Sequence, residues 1–290
     1  MHISLDRVSK DFRRRPAALD NLTLDLPTGM IGLLGANGAG KTTLMRVLCG
    51  LIAPTRGRVL VDGRDLAGSG ARRALKKVLG YLPQHIEPYP NLTPVEFLDY
   101  VGVLKGVGGS RERRRQAVRL LEHVGLAEDG HRRMGGFSGG MLRRVGIAQA
   151  LVGDPALLVV DEPTAGLDPA ERARFRTLLA GMGRDRTVLL STHILDDVAQ
   201  ACPYVCVLGA GRGLYDGPTE GLVDAARGRT WLTGHGTAPP PEGAVVVNAI
   251  TVGSGTRYRI VTDTPPPGAH PVEPGLEDGY MALTSTKEKR

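Results

Sequence analysis

Aromatic side chains are scarce in this 290-residue chain, at 4 %, with a single tryptophan. Such poverty argues against the stacking platforms that hold single-stranded nucleic acid. The three cysteines, Cys49, Cys202 and Cys206, form an odd set without CxxC spacing. They are read as reduced thiols in a cytosolic setting, and with no His or Cys pair at ligand spacing a zinc site is not expected. No stretch approaches the ~18 apolar residues of a membrane span. Met1 to Phe12 alternates apolar and polar residues and has no apolar core of a secretion signal. Any role at a membrane is therefore expected to be borrowed from a partner. Internal repeats are missing as well. The 40 glycines and 20 prolines scatter through turns, against collagen-like and low-complexity readings.

What is present is a 41 % hydrophobic chain, enough to bury a full core in one large domain plus a small one. The formal charge is +7, carried in short arginine runs at Arg13–Arg15, Arg111–Arg115, Arg132–Arg133 and Arg143–Arg144. These runs are read as solvated helix faces rather than as a nucleic-acid surface. Ile3, Leu5 and Val8 alternate as in an edge strand, and Leu22, Leu24 and Leu26 repeat the pattern. Short apolar strands are expected at Met30–Leu34, Val59–Val61, Val78–Leu82, Leu157–Val160 and Val188–Leu190. Helices are expected over Thr42–Cys49, Pro94–Leu104, Arg111–Val124, Gly139–Val152 and Pro169–Leu179. That alternation predicts an α/β fold around a mostly parallel, covered sheet. After about Ala225 the composition changes. Residues 226–290 read as a small β-rich accessory domain that closes with a helix over Leu276–Leu283, beyond a larger domain of residues 1–225.

Gly35-Ala36-Asn37-Gly38-Ala39-Gly40-Lys41-Thr42 fits GxxxxGK[ST] between a strand and a helix. The glycines allow backbone N–H groups to face phosphate oxygens, and the helix start adds partial positive charge. Lys41 suits the β- and γ-phosphates, and the Thr42 hydroxyl suits Mg²⁺, with Thr43 next to it in the helix. Leu157 to Val160 leads into Asp161 and Glu162, an apolar strand tipped with two carboxylates. Asp161 is placed to hold Mg²⁺, and Glu162 to take a proton from an attacking water. Gln84 and His193 each follow another strand. They are candidates for a Mg²⁺ or water contact and for a donor to the γ-phosphate, respectively.

Phe137-Ser138-Gly139-Gly140-Met141, directly before a basic helix, completes the set. In this order the motifs resemble the nucleotide-binding subunit of ATP-binding cassette (ABC) transporters over about residues 2–225. The resemblance implies a P-loop cassette: a parallel sheet core, an antiparallel β edge and a helical signature subdomain over about 88–152. It also implies ATP and Mg²⁺ as cofactors. Ser138, Gly139 and Gly140 cap a helix start, a second anion site. In the family this site closes on the γ-phosphate held by the opposite subunit of a head-to-tail homodimer or heterodimer. Asp168, in Ala165-Gly166-Leu167-Asp168, is expected to reach across that interface, and Phe12 to stack on adenine. Phe137 and Met141 stand where the family commonly has Leu and Gln, and neither change touches the Ser-Gly-Gly anion site.

The segment from Gln84 to Leu98 resembles that of bacterial drug- and antibiotic-export ATPases. The resemblance implies an exporter ATPase, peripheral on the inner face of the membrane and docked to an integral permease, with no nucleic acid as partner. Val95, Leu98, Val101, Glu87 and Glu96 are candidates for the docking groove, with at least half of them expected simply to pack the helical subdomain. Leu276 to Thr284 resembles the closing helix of the same class, except that Gly279 interrupts its pattern. A soluble cassette ATPase of DNA repair, chromosome maintenance or translation is the alternative. Such proteins usually carry tandem cassettes, a coiled coil or a zinc insertion, and this sequence has none.

Overall fold

The computed structural model describes residues 1–12, 16–87, 89–163, 169–183, 186–234, 240, 242–252 and 255–288. Six strands form the central sheet: β3 (Met30–Leu34), β6 (Leu79–Leu82), β7 (Leu157–Asp161), β8 (Thr187–Ser191), β9 (Tyr204–Gly209) and β10 (Arg212–Pro218). Their spatial order is β10-β9-β3-β8-β7-β6. All neighbours are parallel except the β9–β10 hairpin. Along the interior strands, alternate side chains enter two different cores. Leu157, Val159, Ile31, Leu33 and Leu189 face one, while Leu158, Val160, Leu34, Val188 and Leu190 face the other. Both faces are covered, so these strands are apolar throughout rather than alternating with polar residues.

The first core lies under an antiparallel sheet of order β2-β1-β4-β5, made of β1 (Ile3–Lys10), β2 (Leu19–Leu26), β4 (Arg56–Val61) and β5 (Arg64–Asp65). Between the two sheets runs α1 (Lys41–Leu48), whose Leu44, Met45, Val47 and Leu48 are buried. Alternation in β1 is matched across the ladder, with Ile3 opposite Leu26, Leu5 opposite Leu24 and Val8 opposite Leu22. Contrary to the sequence expectation, β1 is no edge strand, because β4 pairs with its other side.

The second core is roofed by helices: α3 (Pro94–Lys105), α4 (Ser110–His123), α5 (Gly139–Leu151), α6 (Pro169–Met182) and α7 (Leu195–Ala201). α3 begins with a capping box, Glu96 N donating to Thr93 Oγ1 at 3.3 Å and Thr93 N to Glu96 Oε2 at 2.9 Å. Val95, Leu98 and Val101 are buried in this core and offer no docking groove, while Glu96 caps the helix and stays exposed. Exposed apolar side chains here, among the described residues, include Tyr89, Tyr100, Val103 and Leu104, with Val118 on α4. Beyond β10 come α8 (Thr219–Asp224) and a four-stranded antiparallel sheet of order β12-β13-β11-β14. Its strands are β11 (Thr230–Leu232), β12 (Val245–Val252), β13 (Gly255–Val261) and β14 (His270–Pro271), and α9 (Leu276–Glu288) follows.

Two further elements escape the periodicity rules. α2 (Ser69–Val78) takes in Val78, read from sequence as strand, and buries only Leu75, too little apolar signal to identify a helix. The β9–β10 hairpin turns through Ala210 and Gly211, both left-handed, at φ 48° and 79°. All three cysteines are free and buried, and burial pushes the Cys49 and Cys202 thiols up to about 12.

Gly80 fixes how closely β6 approaches α5, since a Cβ there would stand 2.2 Å from the Ala150 carbonyl oxygen. Gly80→Ala is therefore expected to lose roughly 2 kcal/mol in urea unfolding, as overpacking against rigid backbone does. Gly181→Ala, near the end of α6 with nothing within 4 Å, should instead gain about 0.5–1 kcal/mol. Equal stabilities for the two variants would refute the close approach.

Candidate functional site: a phosphate loop among four strand tips

Four adjacent parallel strands, β3, β8, β7 and β6, end on the same edge of the central sheet. Directly after these ends come the phosphate loop, Thr192-His193, Glu162 and Pro83-Gln84. A cavity of 380 Å³ opens there, walled by Gly35, Ala36, Asn37, Gln84, Glu162 and His193, among others. Parallel strands separated by crossovers place residues distant in sequence at one end of a sheet, where α/β ligand sites form.

The loop's conformation depends on its glycines. Gly35, Gly38 and Gly40 have φ of 152°, 82° and 105°, all left-handed. Gly35 and Gly40 also admit no side chain, since a Cβ would lie 2.5 Å from Leu208 O and 2.4 Å from Ala18 O, respectively. Ala39 is buried, and its carbonyl accepts from Gly211 N at 3.0 Å, so the β9–β10 turn braces the loop. Thr43 sits in the first turn of α1. The Lys41 ammonium donates to Gly35 O at 2.6 Å and Ala36 O at 3.1 Å. Burial lowers the Lys41 pKa, against the pull of Glu162 and Asp161. Asp161 is 2 % exposed and has its pKa raised, first by burial and then by Glu162. Lys41 and a hydrogen bond from Thr42 act in the opposite sense. A hydroxyl and a carboxylate thus meet at the foot of the phosphate loop, a hard-oxygen donor pair suited to a small divalent cation.

Glu162 has a left-handed backbone, φ 48°, rare for a side chain of its size. Its N–H donates to Ser191 O at 2.9 Å, and its carboxylate lies 2.6 Å from His193 Nδ1. The Glu162 carbonyl is held by Arg143, which the sequence reading had counted with the solvated arginines. Arg143 is 6 % exposed. Its Nε donates to Pro163 O at 3.0 Å, Nη1 to Pro83 O and Gln84 O at 2.8 and 2.9 Å, and Nη2 to Asp161 O and Glu162 O at 3.0 and 2.6 Å. All five guanidinium donors are satisfied by main-chain carbonyls of two strand-end loops. Burial pushes its pKa down to about 10, while Asp161 and Glu162 pull upward. The signal that identifies Arg143 is positional: it lies on α5 among Val145, Ile147 and Ala148, all core residues.

Ser138, Gly139 and Gly140 are not among the described walls of this cavity. They form the start of α5, where Ser138 Oγ accepts from Met141 N at 3.2 Å and the surroundings of Gly139 are open. Phe137 and Met141 share Arg132 as a partner, its guanidinium 4.8 Å from the ring centroid and 3.4 Å from Sδ. Phe12 is 42 % exposed beside Lys10 and is not a wall of the cavity either. Asp168 lies outside the described residues. Tyr280 of α9 does line the cavity, although the sequence reading placed it in a separate accessory unit.

A model of the ABC transporter family matches residues 19–165. The Nod factor export ATP-binding protein I of Paraburkholderia xenovorans is 34 % identical over 300 residues, covering 97 % of this chain and 96 % of the relative. The methionine import ATP-binding protein MetN of Caulobacter vibrioides is 35 % identical over 266 residues, covering 88 % and 80 %. Among solved structures, cbiO1 from Clostridium perfringens, part of the ABC transporter complex cbiONQ, is similar with a TM-score of 0.67 at 26 % identity. It covers 74 % of this chain and 88 % of its own.

Arg143→Lys supplies three donors on a compact head in place of five in a planar fork, so at least two carbonyls lose their partner. The variant is expected to unfold with about 2–4 kcal/mol less free energy, and to exchange the amides around Gln84 and Glu162 faster. A loss below about 1 kcal/mol in denaturant titration, the net worth of one ordinary hydrogen bond, would show that the fork is dispensable.

Proposed function

The chain belongs to the ABC transporter family of ATP-binding proteins, and from that membership we propose that it is the ATP-hydrolysing subunit of a membrane exporter. The observation that carries the chemistry is the meeting of the phosphate loop, Gln84, Glu162 and His193 in one cavity. The loop N–H groups and the start of α1 suit the phosphates of ATP, with Lys41 neutralising the β- and γ-phosphates. Thr42 and Asp161 would hold Mg²⁺, with Gln84 as a further oxygen donor. The cation, when bound, neutralises charge on the transferring phosphoryl group. Among the described residues no three His, Cys, Asp or Glu side chains cluster as a metal nest, in keeping with an ion held largely by phosphate and water.

Glu162 acts as the general base for the attacking water. The short contact from His193 Nδ1 orients its carboxylate, and as an imidazolium, with an N–H on both ring nitrogens, His193 also donates from Nε2 to the γ-phosphate. The left-handed backbone at Glu162, fixed from two sides by Ser191 and Arg143, keeps this base in a pre-set position. Ser138, Gly139 and Gly140 present an open helix start to the γ-phosphate of a second subunit, so ATP binding joins two cassettes head to tail. Asp168 is proposed to reach across the same interface, and Phe12, exposed beside β1, to stack on adenine.

Export is favoured by the resemblance of residues 84–98 to export ATPases. The similarity to a Nod factor exporter also runs through 97 % of the chain. Tyr89, Tyr100, Val103 and Leu104 are the exposed apolar surface offered to a membrane permease. Among the described residues no helix is long and apolar enough to cross a membrane, and we place the protein on the inner face of the membrane through that partner. Residues 1–225 are proposed to form the ATP-binding domain, and residues 226–290 its accessory domain.

Glu162→Gln is expected to bind ATP as the parent does and to hydrolyse it at least ~10²-fold more slowly, the loss typical of a missing general base. Wild-type turnover in a phosphate-release assay would remove Glu162 from the mechanism. For the exporter assignment, the tagged chain is purified from gently solubilised membranes of its native host. A multi-span membrane protein retained at high salt is the expected companion, and recovery of soluble partners alone would sink the transport reading.

A further inference from the structure

α9 is seated by contacts that leave it little freedom. Asp278, 1 % exposed, accepts from Arg259 Nε and Nη2 of β13 at 2.8 and 2.6 Å and from Gly275 N at 2.6 Å. The next residue, Gly279, is the one that interrupts the expected helix pattern, and the packing explains it. A Cβ there would stand 2.0 Å from the Leu222 carbonyl oxygen of α8, so only glycine lets the two helices approach this closely. Tyr280 follows directly, one residue past this contact. It lines the same 380 Å³ cavity as the phosphate loop, Gln84, Glu162 and His193. Among the described residues it is the one wall contributed from beyond Leu195.

We infer that α9 is a wall of the catalytic pocket, and that Tyr280 is a positioning residue whose ring confines the γ-phosphate and the attacking water against Glu162 and His193. This rests on reading the cavity as the ATP site. An aromatic ring in place of bulk solvent lowers the local dielectric and strengthens the interactions of Lys41 and Glu162 with the reacting group. It also limits where a water can stand, and positioning of the nucleophile carries much of the rate in phosphoryl transfer. Hydrolysis then depends on the seating of α9 through Asp278 and Gly279, so the C-terminal segment governs turnover from more than eighty residues beyond His193 in sequence.

Hydrogen–deuterium exchange on the full wild-type chain, with and without Mg²⁺ and a non-hydrolysable ATP analogue, tests the placement without any variant. Slower exchange is expected in α9 together with the phosphate loop. Protection of the loop with α9 unchanged would overturn the inference. Protection of neither would instead overturn the ATP-site reading. In steady-state ATP hydrolysis, Tyr280→Ala is expected to lower kcat about 10-fold with KM within about 3-fold, the pattern of an interaction used in the transition state. Tyr280→Phe should restore turnover, because the ring does the confining. Unchanged kcat in Tyr280→Ala, or a rise in KM alone, would refute the role of Tyr280.

Discussion

Arg143 spends all five of its N–H groups on main-chain carbonyls, and the geometry of the site depends on that one buried guanidinium. It joins Pro83-Gln84 and Asp161-Glu162-Pro163, the ends of two neighbouring strands, beyond the last ladder pair of Leu82 and Val160. A fork of fixed planar geometry sets their spacing as a more flexible ammonium cannot. Since Arg143 belongs to α5, the helix that Ser138 caps, the same residue ties the open start of that helix to the loops carrying Gln84 and Glu162. Any tilt of α5 must move those loops or break buried hydrogen bonds, each costing on the order of 1–3 kcal/mol when left unmade. This is a mechanical link between the start of α5 and the loops at the strand tips within one chain.

One buried cation and two carboxylates, Lys41, Asp161 and Glu162, share the strand tips, and Glu162 raises the pKa of both Lys41 and Asp161. Burial opposes ionisation of both Lys41 and Asp161, while their mutual attraction favours it. A phosphate loop whose lysine already rests on the loop's own carbonyls is pre-shaped for an anion, and little reorganisation is required when one arrives. The left-handed Glu162 belongs to the same logic. A strained backbone persists where its surroundings over-determine it, here through Ser191 on one side and Arg143 on the other.

Much of this was legible in the residues. Gly35 to Thr42 carries its own geometry, because glycine spacing and a lysine at a helix start leave few conformations open. The apolar runs at Leu157 and Val188 identified covered strands, and their tips identified Asp161, Glu162 and His193. α2 was not legible, since a helix that buries one leucine has almost no periodic signal. Nor did the sequence decide between groove and core for Val95, Leu98 and Val101, which are core: an amphipathic stripe shows which side of a helix is apolar, not whether that side is covered.

By itself the sequence determined the local geometry: which glycine-rich loop joins a strand to a helix, which strand ends in carboxylates, which serine caps a helix. These follow from backbone freedom and side-chain type over a few residues. Only the tertiary structure decided which distant groups meet. Arg143 looked like one more surface arginine until α5 was laid across two loops, and nothing around Tyr280 in sequence showed that it would line the cavity at the strand tips once Gly279 let α9 settle on α8. The physical reason is common to both. A contact between residues far apart in sequence is fixed by how helices and strands pack, and that packing leaves no periodic trace at either residue.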